Sequence, residues 1–280
     1  MNLYVNIKSN KVACSPYTLY DCLKKTNQRL SDLLNGDHQD AHEFLIVLNQ
    51  ELERPPHSAR WFSNNFSMKL ATSIKCDSCG KVHESTSPVT DLALHLEGNQ
   101  SIQAAVDSYF DYDDVDFLCE ECRTYDTVKK KHLILSAPPC ICLQLRRFSE
   151  QGTKITDAIE ISGISLKKHF LKTQTSEWNY ELVAIVNHFG QSRNVGHYNT
   201  IVLTSNGEYY EFDDRSVRKV SSNIVSGENA YLLFYKQVEV PRNNSVEGFC
   251  TSNDNFSDDR CPSTESRSSI DVNDHSVTNR

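Results

Sequence analysis

The sequence predicts an α+β fold, because its hydrophobic periodicity changes along the chain. Apolar residues recur at helical spacing within residues 17–52 and again within 101–110, while period-two alternation dominates from Leu133 onward. Helices gathered ahead of a strand-rich half, without strict alternation of the two, are the pattern of segregated helix and sheet. Residues 1–14 read as irregular. Ser15-Pro16 supplies a cap residue and a proline at the first helical position, so a helix is expected over Tyr17–Leu34, broken near Asn27. Leu19, Leu23, Leu30, Leu33 and Leu34 are its core candidates. A second helix is expected from Asp37 to Leu52, where Phe44, Leu45, Leu48 and Leu52 share a face, and Pro55-Pro56 ends it. Residues 66–75 alternate as a strand. Ser101–Phe110 carries Ile102, Ala105, Val106, Tyr109 and Phe110 as an amphipathic stripe. Ile141–Phe148, part of Tyr180–Asn187, Thr200–Thr204, Glu208–Phe212 and Ala230–Tyr235 read as strands, and Asn206-Gly207 between two of them is a strong hairpin signal. Residues 238–280 are rich in Ser, Asn and Asp and poor in large apolar side chains, so a disordered tail is expected there.

Composition narrows the class of function. The chain has 280 residues, of which 38% are hydrophobic and 24% charged, enough for one large domain or two small ones. No apolar run reaches the length that spans a bilayer, and Met1–Lys8 has no charged leader ahead of an apolar stretch. Neither a membrane partner nor a secretory signal is expected. An intracellular location in cytoplasm, nucleus or both follows, and the ten cysteines read better as thiols or metal ligands than as disulfides. A formal net charge of −8 argues against nucleic acid as a partner and suits a basic protein or peptide.

Cys76-Asp-Ser-Cys79 and Cys119-Glu-Glu-Cys122 form the strongest chemical signal. Each spacing lets two thiolates share one tight turn, and two such turns meeting supply the tetrahedral sulfur set that Zn2+ accepts. Gly80 follows the first pair, where a positive φ is often needed. Structural zinc is therefore the expected cofactor, with disulfides or buried thiols as the alternatives and His83 as a substitute ligand. Cys140 and Cys142 lie one residue apart on an alternating strand and read as core; Cys22 belongs to a helix stripe. Cys14 has no visible histidine partner, and Cys250 and Cys261 fall in the tail.

A thiol hydrolase needs an imidazole to take the thiol proton and a carboxylate to fix the imidazole's tautomer. Gly196-His197-Tyr198 and Phe212-Asp213-Asp214 offer such a pair, since Asp213 closes the partner strand of the hairpin that His197 opens. Periodicity sets an obstacle. A two-residue turn at Asn206-Gly207 pairs Thr200 with Asp213 and leaves His197 on the opposite face, so contact requires a bulge, a longer loop or a histidine ahead of the regular strand. Asp214 is an auxiliary candidate that orients water or a backbone amide. His188 is either a second candidate base or a structural histidine.

In this order and spacing, the segments resemble the ubiquitin-specific proteases, papain-like cysteine deubiquitinases. Gln39-Asp40-Ala41-His42-Glu43-Phe44-Leu45 looks like the family's Gln-Asp-Ala-x-Glu-Phe helix, and the paired knuckles look like its zinc-ribbon fingers. Leu143-x-Leu145-x-Arg147-Phe148 looks like its palm strand. Tyr180–His188 with Gly196-His197-Tyr198 looks like its histidine box, and Tyr209–Asp214 and Ala230–Tyr235 look like its final boxes. The resemblance covers about residues 12–237. It implies a papain-like ubiquitin-specific protease fold, with a partial thumb at about 1–65, zinc-ribbon fingers at about 66–135 and a β-rich palm at about 136–237. It also implies His197 as general base, Asp213 as its orienting partner, and Asp40 as a carboxylate presented to the basic ubiquitin tail. Zinc at Cys76, Cys79, Cys119 and Cys122 would hold the fingers together. The implied partners are ubiquitin and ubiquitinated proteins, bound by a monomer, and the implied reaction is thiol-dependent hydrolysis of (iso)peptide bonds at the ubiquitin C-terminus.

One family element has no counterpart. The Asn-x-Cys box that carries the nucleophile is absent, and neither Cys14-Ser-Pro nor Cys22-Leu-Lys resembles it. The reading is therefore an N-terminally incomplete protease domain. A non-catalytic ubiquitin-binding pseudoprotease and a zinc-ribbon interaction protein unrelated to ubiquitin stay open beside it.

Overall fold

A computed structural model describes residues 17–149, 152–173, 177–192, 195–222 and 227–238. The expectations for residues 1–14, for Cys14, Cys250 and Cys261, and for the tail from residue 239 lie outside the described residues.

The first helices are α1 (Tyr17–Thr26), α2 (Gln28–Leu33), α3 (Ala41–Glu53) and α4 (Pro56–Phe66). The expected break near Asn27 separates α1 from α2. Asn27 is extended, and its side chain accepts the Arg29 N–H at 2.7 Å, capping α2. Leu30 and Leu33 of α2 and Val47 of α3 form a small buried cluster with Leu23 and Phe44 against it. Leu19 and Leu52 are exposed rather than core-facing. The helix α4 is not expected from the sequence. Pro55-Pro56 does end α3, but Pro55 is also the N-cap of the next helix, where a proline's missing N–H costs nothing.

Next come β1 (Met68–Lys75), β2 (Val82–Val89), β3 (Leu92–Leu94), α5 (Ile102–Tyr109), β4 (Asp113–Leu118) and β5 (Tyr125–Ser136). Strands β2, β1, β5 and β4, in that order, make one antiparallel sheet of four. Strand β2 escapes a period-two reading because water reaches most of both faces there, whereas β4 alternates only over residues 114–117, with Val115 paired to the buried Val128, a run too short to stand out. Ser101 caps α5, accepting the Ala104 N–H at 3.2 Å, and Ile102, Ala105 and Val106 are buried as the stripe requires.

The chain continues through β6 (Cys140–Leu145), β7 (Ile164–Ser165), β8 (Asn179–Ser192), β9 (Val195–Leu203), β10 (Tyr209–Asp213), β11 (Ser216–Val220) and β12 (Ala230–Gln237). These form a second sheet ordered β11-β10-β9-β8-β12-β6-β3, with β7 beside β8. Its main core gathers Leu92, Leu94, Leu143, Leu145, Ile185 and Leu233 around α5. No helix among the described residues is long and apolar enough to cross a membrane.

The strand expected to reach Phe148 stops at Leu145, because Arg146 N–H turns to the Leu94 carbonyl and Arg147 N–H to that of Leu145. Arg147 is 1% exposed. Its guanidinium donates to the Ala230 carbonyl at 2.8 Å, to Ile155 and Asp157 carbonyls at 3.1 and 2.8 Å, and to that of Gly227. One side chain thus joins two separate stretches of backbone, 155–157 and 227–230, behind the β6 end. Burial pushes its pKa down to about 10, against the charges of Asp157 and Glu228, so it stays charged at neutral pH. Replacing Arg147 by Met strands these carbonyls in the interior at roughly 1–3 kcal/mol each. The expected outcome is a loss of roughly 3 kcal/mol or more by urea denaturation; a loss below about 1 kcal/mol would mean that packing, not the guanidinium, joins these segments.

Candidate active site

The hairpin of β9 and β10 brings His197 and Asp213 together by a change of register. Thr204 N–H donates to the Glu208 carbonyl at 2.9 Å, so the loop is Ser205-Asn206-Gly207, with Gly207 at φ +78°. This is the three-residue hairpin with a left-handed third position, not the two-residue turn. Thr200 therefore pairs with Phe212 rather than with Asp213, and alternation now puts Asp213 on the same face as His197. His197 Nε2 lies 2.5 Å from Asp213 Oδ1, which leaves Nδ1 for another partner. Asp214 follows at φ +48° in the turn to β11, a conformation aspartate tolerates better than most residues, and its carboxylate joins the other two groups within 4.8 Å.

Asp213's hydrogen bond raises the His197 pKa above 6.5, and the charges of Asp213 and Asp214 act the same way against slight desolvation. Gly196 makes room for a second ring. A Cβ at Gly196 would land on His188 Nε2 and on the Phe189 carbonyl. His188 is buried among Phe148, Tyr198 and Tyr231. Burial and Lys154 hold its pKa below the ordinary value, with Asp40 opposing. A neutral, packed ring of this kind is a structural histidine lying under the strand that presents His197.

Asp40 caps α3. Its Oδ1 accepts the His42 N–H at 2.7 Å, and the Tyr231 hydroxyl lies 2.8 Å from both carboxylate oxygens. Tyr198 accepts the Ala41 N–H at 3.4 Å. The start of α3 is thus tied to β12 and to β9, next to His197. Asp40, Glu43, His95, Glu97, Arg146 and Tyr231 line an open cleft of about 870 Å³. Tyr231 was not singled out in the sequence; its signal was a hydroxyl-bearing residue at the start of a mostly apolar final strand, which also holds Tyr235.

The two cysteine pairs meet as expected. Cys76 Sγ is 3.7 Å from Cys122 Sγ, and Cys79 Sγ is 3.8 Å from Cys119 Sγ. Zn–S bonds of about 2.3 Å put the edge of a sulfur tetrahedron at about 3.8 Å, whereas a disulfide holds its sulfurs at about 2.0 Å. The cluster therefore fits a four-coordinate ion rather than disulfides. The knuckles share one geometry: Gly80 N–H donates to Cys76 O and Arg123 N–H to Cys119 O, and both residues take a positive φ. Hydrogen bonds to Thr124 draw the Cys122 thiol down to about 6, whereas, against a backbone hydrogen bond from Lys81, desolvation and the other three sulfurs push Cys79 up to about 12; four thiols crowded in one site cannot all ionise without a cation to share. His83 Nε2 sits 3.4 Å from Cys119 Sγ, a neighbour of the four sulfurs rather than a replacement for one. Cys142 is buried, as read, and Cys22 is exposed.

The profile of the ubiquitin carboxyl-terminal hydrolase family matches residues 1–235. The chain belongs to that family. It is similar to ubiquitin carboxyl-terminal hydrolase 36 of Drosophila mojavensis, 31% identical over 250 residues that cover 82% of this chain and 21% of that protein. The protein of the same name from Drosophila melanogaster is 31% identical over 251 residues, 82% of this chain and 24% of its own. The chain thus spans between a fifth and a quarter of the length of these two relatives. Among solved structures, the SAGA Ubp8/Sgf11/Sus1/Sgf73 DUB module bound to ubiquitin aldehyde holds a chain similar at TM-score 0.66 and 26% identity, covering 80% of this chain and 54% of that one. The same module with a Ubp8 variant bound to monoubiquitin matches at TM-score 0.66 and 28% identity. The ubiquitin-specific protease fold read from the ordered segments is therefore the fold observed, an α+β domain with β-rich sheets and a ribbon-like cysteine cluster.

The raised His197 pKa has a sign that can be read in solution. A histidine whose folded value lies above 6.5 stabilises the fold below pH 6.5, and that contribution is lost as pH rises through the folded value. NMR titration of the His197 ring is expected to give a pKa above 6.5 in the parent chain and a lower one in Asp213→Asn. Equal values in the two proteins would show that the contact does not form in solution.

Proposed function

We propose that this chain is the base-bearing and ubiquitin-holding part of a cysteine-type ubiquitinyl hydrolase acting on (iso)peptide bonds at the ubiquitin C-terminus. The observation that carries the reading is the 2.5 Å contact of His197 Nε2 with Asp213 Oδ1 in a chain of this family. In that role Asp213 fixes the ring, and Nδ1 takes the proton of an attacking thiol and later returns it to the leaving amine. A raised imidazole pKa suits a thiolate–imidazolium pair, and Asp214 adds negative charge beside the cation. Asp40, with Glu43 and Glu97 along the cleft, offers carboxylates to a basic tail. Ubiquitin as partner is supported by the solved relatives, which are bound to ubiquitin aldehyde and to monoubiquitin.

The helices up to about residue 65 act as thumb, residues 66–135 as fingers and 136–237 as palm. Zn2+ held by Cys76, Cys79, Cys119 and Cys122 would cross-link the fingers and leave no coordination position for chemistry. Four zinc-binding thiolates stay reduced in an intracellular compartment, which is the location proposed.

Hydrolysis further requires a thiolate at His197 Nδ1. Among the described residues no cysteine belongs to the His197–Asp213–Asp214 group. Cys22 is exposed on α1, and burial pushes the Cys142 thiol up, away from reactivity. This favours, as a second reading, a chain that binds ubiquitin without cleaving it unless a cysteine outside residues 17–238 supplies the nucleophile.

Calorimetry with ubiquitin, run beside hydrolysis of a fluorogenic ubiquitin C-terminal amide, separates the readings. Binding with turnover supports the hydrolase. Binding without turnover supports the second reading, and no binding to the zinc-loaded chain sinks both. Metal analysis is expected to find one zinc per chain. Zinc binding is worth roughly 10–16 kcal/mol of apparent free energy in small sites, comparable with the whole stability of a domain. Cys119→Ser is therefore expected to lose the metal and, by hydrogen exchange, the protection of β1, β2, β4 and β5.

A further inference from the structure

The face of the sheet that carries His197 is organised in rows across β8, β9, β10 and β11. Phe189 pairs with His197 and Asp213 pairs with Ser216, forming the exposed row of the site. One pleat inward, Asn187 pairs with Asn199 and Glu211 pairs with Arg218. One pleat further, Ile185 pairs with Ile201 in the core. A polar row thus separates the core from the site; Asn187, Asn199 and Glu211 are buried, at 6%, 7% and 5% exposure, and the exposed Arg218 closes its outer end.

The polar row is a continuous ladder. Asn187 Nδ2 donates to Asn199 Oδ1 at 2.9 Å, Asn199 Nδ2 donates to Glu211 Oε1 at 2.8 Å, and Arg218 Nε donates to Glu211 Oε2. Its direction is dictated by chemistry. An ionised carboxylate only accepts, so Asn199 must turn its Nδ2 to Glu211, which leaves its Oδ1 for Asn187. The Asn199–Glu211 contact crosses the β9–β10 ladder on the same diagonal as His197–Asp213, two residues further along β9 and two fewer along β10.

We infer that Asn199 and Glu211, braced by Asn187 and Arg218, are positioning residues that lock the strand register on which the His197–Asp213 contact depends. An exposed ion pair such as His197–Asp213 contributes too little to set a register by itself. The buried ladder can. In the native register Glu211 stands opposite Ile201 and reaches Asn199 on the diagonal; a slip of one residue moves every side chain to the wrong face, and a slip of two towards the loop sets Glu211 opposite Leu203 and takes Asn199 out of reach of its carboxylate. None of the four ladder residues belongs to the His197–Asp213–Asp214 group; they act on it only through the strands.

The inference rests on the reading of His197 and Asp213 as base and orienting carboxylate, but its test needs no hydrolysis. The readout is the drop in His197 pKa that Asp213→Asn causes, followed by NMR in two backgrounds. Asn199→Leu is neutral and alters no charge near His197. In the Asn199→Leu background the Asp213→Asn drop is expected to shrink to less than half its size in the parent. A drop of equal size in both backgrounds overturns the proposal. Val202→Ala, on the opposite face of β9, is the control and should leave the drop unchanged; a reduction as large as that in Asn199→Leu would mean general loosening and also overturn it. Should Asn199→Leu fail to fold, Asn187→Ala at the far end of the ladder decides, with a smaller reduction supporting the lock and none rejecting it. A chain that shows this coupling yet neither binds nor cleaves ubiquitin would overturn the catalytic reading and leave the register lock standing.

Discussion

Successive side chains of a strand point to opposite faces, so the length of the loop joining β9 to β10 decides which residues can meet across it. Thr204 closes that loop on Glu208 with three residues between, and Gly207 supplies the left-handed backbone that the last of them needs. One residue fewer, with the turn at Asn206-Gly207, would pair Thr200 with Asp213 and send Asp213 to the face opposite His197. The same register puts Asn199 within diagonal reach of Glu211 and keeps Ile185 and Ile201 inside. Core, polar ladder and site are three consecutive rows of one pleated surface, and none can be correct unless the others are.

Around that surface, buried polar groups do the joining. Arg147 is long enough to reach carbonyls near Ile155, Gly227 and Ala230, and a guanidinium has enough donors to satisfy all of them. Tyr231 and Tyr198 tie the start of α3 to the sheet through Asp40 and Ala41. The helical end of the chain is therefore not packed on the sheet by apolar contact alone. It is hydrogen-bonded at the helix terminus that faces the cleft, which sets the distance between Asp40 and the histidine row.

The four-stranded sheet depends on something else. Much of its length has water on both faces, and few of its side chains are buried, so hydrophobic burial supplies little there. Its two knuckles bring four sulfurs within 4.8 Å of one another, and a metal ion held there would supply the cross-link that such a thin element can use. Arg123 takes up a positive φ in the second knuckle where the first has Gly80, a strain that the hydrogen bonds of the turn and the cluster geometry must outweigh.

Several features were legible in the residues alone. The break at Asn27, the capped stripe of α5, the pairing of the knuckles and the ordered boxes from Gln39 to Tyr235 are local signals: cap chemistry, period and spacing act within a few residues, or repeat a family's order. Strand β2 was not legible, because alternation records a buried face and it has almost none, and the alternation of β4 is confined to residues 114–117. Nor was α4, whose Pro55-Pro56 start reads equally as a stop. Sequence by itself determined the α+β class, the four cysteines as one cluster, and His197 and Asp213 as candidates. Only the tertiary structure decided that the histidine and aspartate share a face, that Asp40 is held by Tyr231, and that Arg147 and Glu211 lie buried. The reason is physical. Register depends on a one-residue difference in a loop, and the partners of a buried charge are backbone and side-chain groups far away in the chain.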